Sequence, residues 1–393
     1  MISVVFVSNF FNHHERFFCD ELSKNPNISF SFIQTQKMDE ERENMGWKID
    51  IRSHQYVICS YINDSAKKRA LDLCDNADVL ILGSAPYEFV SKRVRQNKLT
   101  FYYAERLFRK GIWHMLNPKT FFTVLKRFII PGRKSNFYLL AASAYTAYDT
   151  SRILAFDNRR FKWGHFIEVN PNGSHDRIAS NQDKLKLLWA GRLIPLKHPE
   201  YPIYIANKLK SRGINFSLDI IGSGELENRL KELVNKYNLQ NNVILHGAMP
   251  PSDVRGFMEK ADIYMFTSDF NEGWGAVLGE AMASGCAVVT SHGIGATPFL
   301  IKHGVNGLIY ETNNYKSFEN NVIKLVQDAR LRSKLSENAC NTMIEKWNPK
   351  EAADRFYHLA KSLLGTGDLI YYEDGPISKA LVLNNKWFSD DTI

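Results

Sequence analysis

Cysteine is sparse and unpaired in this chain: Cys19, Cys59, Cys74, Cys286 and Cys340 are scattered over 393 residues without a CxxC motif. That spacing excludes a disulfide framework and argues against a zinc site, and it fits reduced thiols in a cytoplasmic protein. No apolar stretch reaches the roughly 20 residues that cross a bilayer as a helix. The opening MISVVFVSNFF has no basic segment ahead of it and meets Asn12, His13, His14, Glu15 and Arg16 before a signal sequence would be complete, so export is not expected. Acids are in deficit too. The net charge is +8, and between Phe89 and Lys134 twelve basic residues stand against Glu105 as the only acid. Anionic partners follow from that excess, whether nucleotide diphosphates, a phospholipid surface or nucleic acid, among which net charge does not choose; the motifs below point to a nucleotide diphosphate, and no nucleic acid is expected.

What is present is an ordinary globular composition, 44% hydrophobic and 23% charged, at a length that favours two domains. Short apolar runs (SVVFVS, SFSFIQ, DVLILGS, LTFYYA, FYLLAAS) alternate with charged segments of helix length. The second half repeats the plan with KLLWAG, SLDIIGS, NVILHG, DIYMFTS, AVVTSH and GLIYET. Alternation of this kind predicts an α/β chain with two doubly wound, Rossmann-like parallel sheets. The expected parts are an acceptor domain over 1–168, a donor domain over 169–348 with a hinge at 169–183, and a helix plus tail over 349–393 that crosses back to the first domain.

The most informative segment is DIYMFTSDFNEGWGAVLGEAMASG, read as a buried strand, a glycine-rich turn and a helix opening near Trp274 or Gly275. In a parallel sheet such a turn lies beyond the strand's carboxyl end, where ligands bind. The amides of Gly275, Ala276 and Val277 at a positive helix end make a phosphate cradle, with Gly273, Trp274 and Gly275 allowing close approach. Glu280 lies four residues past Ala276, about 6 Å further along the axis with its side chain pointing back, within reach of a ribose. Glu272 precedes the helix, where a donor sugar would sit. After KLLWAG come Gly191, Arg192 and Lys197, two cations suited to charge growing on a departing diphosphate. Gly222, in IIGSGE, reads as a tight strand-to-helix turn bordering the same site, and His292 as a rim or packing residue rather than a base.

Glu272 and Glu280, with seven residues between them and EGWG at the start, resemble the signature of the family 4 retaining glycosyltransferases of the GT-B fold, best over 185–307. The resemblance implies two Rossmann-like domains facing across a cleft and metal-independent hexosyl transfer with retention, by front-face displacement in which the leaving diphosphate takes the acceptor proton. It implies Arg192 and Lys197 on that diphosphate, no cofactor, a UDP-sugar rather than a GDP-sugar as donor, and a saccharide or lipid-linked acceptor in surface polysaccharide or glycoconjugate biosynthesis. Two rivals on the same scaffold are an inactive binding protein and a sugar epimerase or phosphorylase.

The first half departs from that family. Asn9, Asn12, His13 and His14 stand where relatives usually carry a glycine-rich loop, and Glu105 and Arg106 follow the fifth apolar run where many carry a histidine. Asn9, His13, His14 and Glu105 are therefore candidate acceptor-side residues. Adjacent histidines on a helix point apart, so no metal pair is expected of them. Glu105 either orients an acceptor hydroxyl or pairs with Arg106 or a nearby lysine. Finally, KTFFTVLKRFII predicts an amphipathic helix over 119–130, within a basic 107–134 stretch suited either to the inner face of an anionic membrane, with Lys126 and Arg127 as contacts, or to packing on the first sheet.

Overall fold

The structure, a computed structural model, describes residues 1–40, 49–169 and 184–389. It divides into two compact units: 1–168 with 347–384, and 169–346 with 385–393. The expected hinge at 169–183 lies, from residue 170, outside the described residues.

The first unit is built on seven parallel strands: β1 (Ile2–Ser8), β2 (Ile28–Gln34), β3 (Val57–Cys59), β4 (Val79–Leu82), β5 (Thr100–Ala104), β6 (Phe137–Ala141) and β7 (Arg160–Lys162), in the order β3-β2-β1-β4-β5-β6-β7. Parallel pairing needs crossovers, and the helices His13–Lys24, Asp64–Asn76 and Glu88–Gln96 supply them. Because helices cover both faces, Val4 to Val7 are buried without alternation. Asparagines start several helices: the side chains of Asn12 and Asn63 accept from the amides of His14 and Ala66, and Asn348 caps the Pro349–Leu363 helix by accepting from Glu351. That last helix packs on His13–Lys24, with the Phe356 ring edge-on to Phe18 at 5.9 Å and 5.1 Å from Phe101.

Not all of the basic excess reaches the surface. Arg93 is fully buried and spends its guanidinium on the carbonyls of Cys74, Ala77 and Leu99 at 3.0, 2.7 and 2.5 Å. Arg106 lies 3.5 Å from Asp149 and over the Tyr145 ring. The helix expected over 119–130 forms within a longer one, continuous over 118–132 and closed by Ile130–Gly132, but it is not regular. A tight turn over Ile112–Leu116 leads to a short helix, Pro118–Val124, and then to a wider, π-type turn over Leu125–Ile129. The widening turns Lys126 over the Tyr87 ring at 4.5 Å and sets Arg127 Nη2 on the Ala85 carbonyl at 2.6 Å. Arg127 is thereby held against its own unit, while Lys126 stays exposed beside Tyr87. Apolar side chains also face outward: Trp113, Leu116 and Phe122 are 62%, 85% and 64% exposed, close in sequence to exposed Arg109, Lys110, Lys119 and Lys126.

The second unit has six parallel strands: β8 (Leu185–Ala190), β9 (Phe216–Ile221), β10 (Val243–Leu245), β11 (Ile263–Phe266), β12 (Ala287–Ser291) and β13 (Leu308–Tyr310), in the order β10-β9-β8-β11-β12-β13. Leu187, Trp189, Leu218, Ile220, Met265 and Val289 fill its core, each such side chain contributing about 1.5–3 kcal/mol of burial. In both sheets the strand order reverses beside the first strand of the unit, between β1 and β4 and between β8 and β11. Chains leave those neighbours in opposite directions, which opens a crevice at their carboxyl ends. No helix among the described residues is long and apolar enough to cross a membrane.

Candidate functional site

The crevice of the second unit is bounded by the loop after β8 and the turn after β11. They are stitched to each other. Asp269 N–H donates to the Leu196 carbonyl at 2.8 Å, Thr267 Oγ1 donates to the Lys197 carbonyl at 2.5 Å, and Trp189 Nε1 donates to Thr267 Oγ1 at 2.8 Å. His198, at φ +44°, holds a left-handed conformation uncommon for a residue with a side chain, and it reverses the chain just after Pro195–Lys197. This turn delivers Lys197 to Glu272, with Nζ 2.6 Å from Oε2 and both side chains largely buried. Ser268 Oγ donates to the same oxygen at 2.8 Å. Sequence reasoning missed Ser268, whose only signal was its place at the end of DIYMFTS. Arg192 behaves differently: its side chain is exposed and bonds to none of the described residues.

The helix that follows, Ala276–Ala283, is capped by Gly275 at φ +83°. A Cβ there would both strain the backbone and come within 2.7 Å of the Phe266 ring. The amides of Gly275, Ala276 and Val277 have no acceptor among the described residues, so donors and the positive helix end are presented together. Glu280, in the second turn, is half-buried with no hydrogen-bond partner among those residues, and burial pushes its carboxyl above the usual range. A carboxyl in that condition gains from any hydroxyl brought to it.

Of the residues placed at this site, the side chain of Trp274 and the amide of Gly222 are occupied within the protein. Trp274 is fully buried, its ring 6.2 Å from Phe299 and its carbonyl accepting from Ala296 N–H at 3.0 Å, because the turn needs an apolar anchor beneath its glycines. Gly222, at φ +135°, donates its amide to the Gly247 carbonyl at 2.8 Å, so that amide is closed to phosphate. Its glycine nature lets two loops touch, since a Cβ would lie 1.8 Å from the Gly191 carbonyl oxygen.

At the crevice of the first unit the histidines do not point apart. The His13 and His14 rings lie 3.9 Å apart, and His165, which sequence reasoning missed, lies 4.7 Å beyond His14. The surface-neighbour rule applies within a helix. Here Asn12 caps the helix and the two histidines are its first residues, so their rings converge over its start. Burial lowers His13 to about 4 and His165 to about 3, and holds His14 well below its ordinary value, aided by the other two rings. The cluster is neutral imidazole at physiological pH. Beneath it Glu15, desolvated and pushed up to about 8, lies 3.4 Å from Ser8 Oγ and accepts from Asn12 Nδ2 at 3.2 Å. Asn9 takes the Ser8 hydroxyl at 3.2 Å, and its carbonyl accepts from Thr35 and Gln36. Glu105 pairs with Arg109 and lies 3.6 Å from His165 Nε2, so its cationic partner is Arg109, while Arg106 is taken by Asp149. No group of three or more His, Cys, Asp or Glu side chains among the described residues is arranged to hold a metal ion.

Residues 173–342 match the family model described as glycosyl transferases group 1. An uncharacterized glycosyltransferase of Methanocaldococcus jannaschii is 30% identical over 187 residues, 47% of this chain and 46% of that protein. The poly(glycerol-phosphate) alpha-glucosyltransferase of Bacillus subtilis is 32% identical over 167 residues, 42% of this chain and 24% of that enzyme. The chain thus spans about half or less of the length of the curated relatives it matches. Among solved structures, Anabaena HepE in complex with UDP superposes with a TM-score of 0.69 at 13% identity, over 92% of this chain and all of that one. At such identity the likeness speaks for the fold alone: two Rossmann-like parallel sheets of the GT-B class.

Proposed function

From the premise that residues 173–342 are a glycosyl transferases group 1 segment on a GT-B fold, we propose that the protein transfers a hexosyl group from a nucleotide sugar to a saccharide or lipid-linked acceptor, with retention and without a metal. The observation that carries this reading is the Lys197–Glu272 contact beside an open, glycine-capped helix start. The amides of Gly275, Ala276 and Val277 receive the diphosphate, Glu280 accepts from ribose hydroxyls, and Glu272 meets the sugar. Lys197, with Arg192 from the exposed loop, takes up charge as the sugar–phosphate bond breaks. The departing diphosphate oxygen accepts the acceptor's proton, so no strong base is required of the protein. Neutral imidazoles of His13, His14 and His165 then suit acceptor hydroxyls, which they orient by hydrogen bonding without competing for the proton. The UDP complex of HepE supports a uridine nucleotide. The colanic acid glycosyltransferase among the relatives, and the poly(glycerol-phosphate) enzyme, support surface polysaccharide or glycoconjugate synthesis. The exposed Trp113, Leu116 and Phe122 amid basic residues suit peripheral contact with an anionic membrane where a lipid-linked acceptor resides.

The test is a thermal-shift screen against UDP, GDP and ADP. A ligand at 100 times its dissociation constant stabilises by about 2.7 kcal/mol. One nucleotide should stabilise far more than the others, and the matching sugar nucleotides should then release it on adding acceptor. No response to any of them would refute the reading.

A further inference from the structure

The last described residues of the tail touch the turn that carries Glu272, through one histidine. Residues 377–380 first add to the edge strand β7 of the first unit, with Lys162 N–H donating to the Ser378 carbonyl at 2.7 Å and Ile377 N–H to the Lys162 carbonyl at 2.9 Å. From Asn385 onward the chain belongs to the second unit. There the Asn385 carbonyl accepts from His292 Nε2 at 3.1 Å, while His292 Nδ1 accepts from Thr312 N–H at 2.8 Å. These partners fix a neutral ring with its proton on Nε2. Phe388, 7% exposed, stacks on that ring at 5.8 Å and 27°, and Trp387 lies 6.2 Å away.

Phe270 makes an edge-on contact with the same imidazole, at 5.1 Å and 89°. It stands two residues before Glu272. Gly293, beside His292, leaves so little room that a Cβ would come within 3.1 Å of the Phe270 backbone nitrogen and ring. Gly293 N–H in turn donates to Thr312 Oγ1 at 2.8 Å, so ring, glycine and threonine form one block behind the turn. A glycine-rich turn has much backbone freedom to lose, and a carboxylate at a reacting centre tolerates displacement of only about 0.5 Å. We propose that residues 385–388 are a clasp: through His292 and Phe270 they hold the 269–275 turn and so position Glu272. His292, Trp387 and Phe388 are positioning residues, and the role in transfer rests on the donor-site reading above.

The experiment compares the full chain with Phe388→Ala, Phe388→Tyr and a chain ending at Asn384. Amide hydrogen exchange is followed by mass spectrometry, with turnover of the sugar nucleotide measured beside it. For Phe388→Ala and the shortened chain, exchange over 269–275 should quicken about tenfold while exchange over Leu185–Ala190 stays unchanged, since local opening is then uncoupled from global unfolding. Turnover should fall by about 10- to 100-fold with a smaller change in KM, and Phe388→Tyr should restore both. Unchanged exchange over 269–275, or equal quickening in β8, overturns the clasp. Local quickening with no nucleotide binding or turnover by any form, wild type included, supports the clasp and refutes the donor-site reading. Local quickening with normal turnover overturns the positioning role.

Discussion

Glu272→Gln is the most discriminating perturbation of the site, because it should act in opposite directions on binding and on transfer. In the free protein Lys197 is held by Glu272 at 2.6 Å, and the same oxygen takes the Ser268 hydroxyl at 2.8 Å. An incoming diphosphate must share Lys197 with that carboxylate and also suffer its repulsion. At about 6 Å and an effective dielectric near 40, one unit charge contributes about 1.4 kcal/mol, or about tenfold in affinity. The amide of the variant keeps the shape of the carboxylate and can still accept from Ser268, but it frees the lysine. UDP should therefore bind about 3- to 10-fold more tightly to the variant in calorimetry, while transfer, followed as UDP release, falls by about 100-fold or more. Lys197→Ala should do the reverse on binding, weakening UDP by about 1.5–3 kcal/mol, with kcat reduced about 100-fold. If Glu272→Gln weakens UDP as Lys197→Ala does, with circular dichroism unchanged, Glu272 is a member of the nucleotide clamp. The assignment of its carboxylate to the sugar would then be wrong.

Glu280→Ala should cost about 1.5–3 kcal/mol of UDP affinity, and unchanged calorimetry would remove the ribose assignment. EDTA should leave transfer intact, and a preparation revived only by manganese or magnesium would refute the metal-free mechanism. Trp113 and Phe122 changed together to Ser should lower cosedimentation with anionic liposomes, whereas Arg127→Ala should alter it little, since its guanidinium is held by the Ala85 carbonyl. The opposite pattern would contradict the exposed surface. Glu15 gives a test by pH. Its folded value of about 8 lies above its ordinary 4.5, so the stability due to its protonated form is lost as pH rises from 4.5 through 8, and Glu15→Gln should make that loss smaller. His13 and His165 are depressed and oppose it only below about 6.5, and the raised Glu280 is common to both proteins, so the difference between wild type and variant from pH 6.5 to 8 reports Glu15, where about 2 kcal/mol is at stake. Equal slopes of melting temperature against pH for wild type and variant would sink the argument.

Much of the fold was legible because parallel strands buried on both faces read as apolar runs, as SVVFVS and KLLWAG do. The two strands that were missed, Val57–Cys59 and Arg160–Lys162, are three residues each, and the second is charged at both ends. Too short for a period and placed at the two edges of their sheet, they are defined by pairing alone. The helix over 119–130 was legible as an element but not in its faces. A 3.6-residue pattern was present, but the wider turn at Leu125–Ile129 breaks its register with the residues that follow.

In the candidate site of the second unit, relations along one element were legible and relations between elements were not. Gly275, Ala276 and Glu280 stand on one turn and one helix, so their relation follows from helix geometry and is written in consecutive letters. Lys197 and Glu272 are 75 residues apart, and nothing local says that they touch. What brings them together is that β8 and β11 are neighbours at the reversal of strand order, so any side chains just past their ends converge. The same reasoning, applied to β1 and to the strands on its far side, would have gathered His13, His14, Glu15 and Glu105 into one place. It would still not have found His165. That ring arrives from the segment after β7, the short edge strand that the sequence conceals, and its approach to His14 is fixed only once the strand is paired with β6. The limit on reading the crevice of the first unit was thus topological: one undetected strand of three residues hid a third of the imidazole cluster.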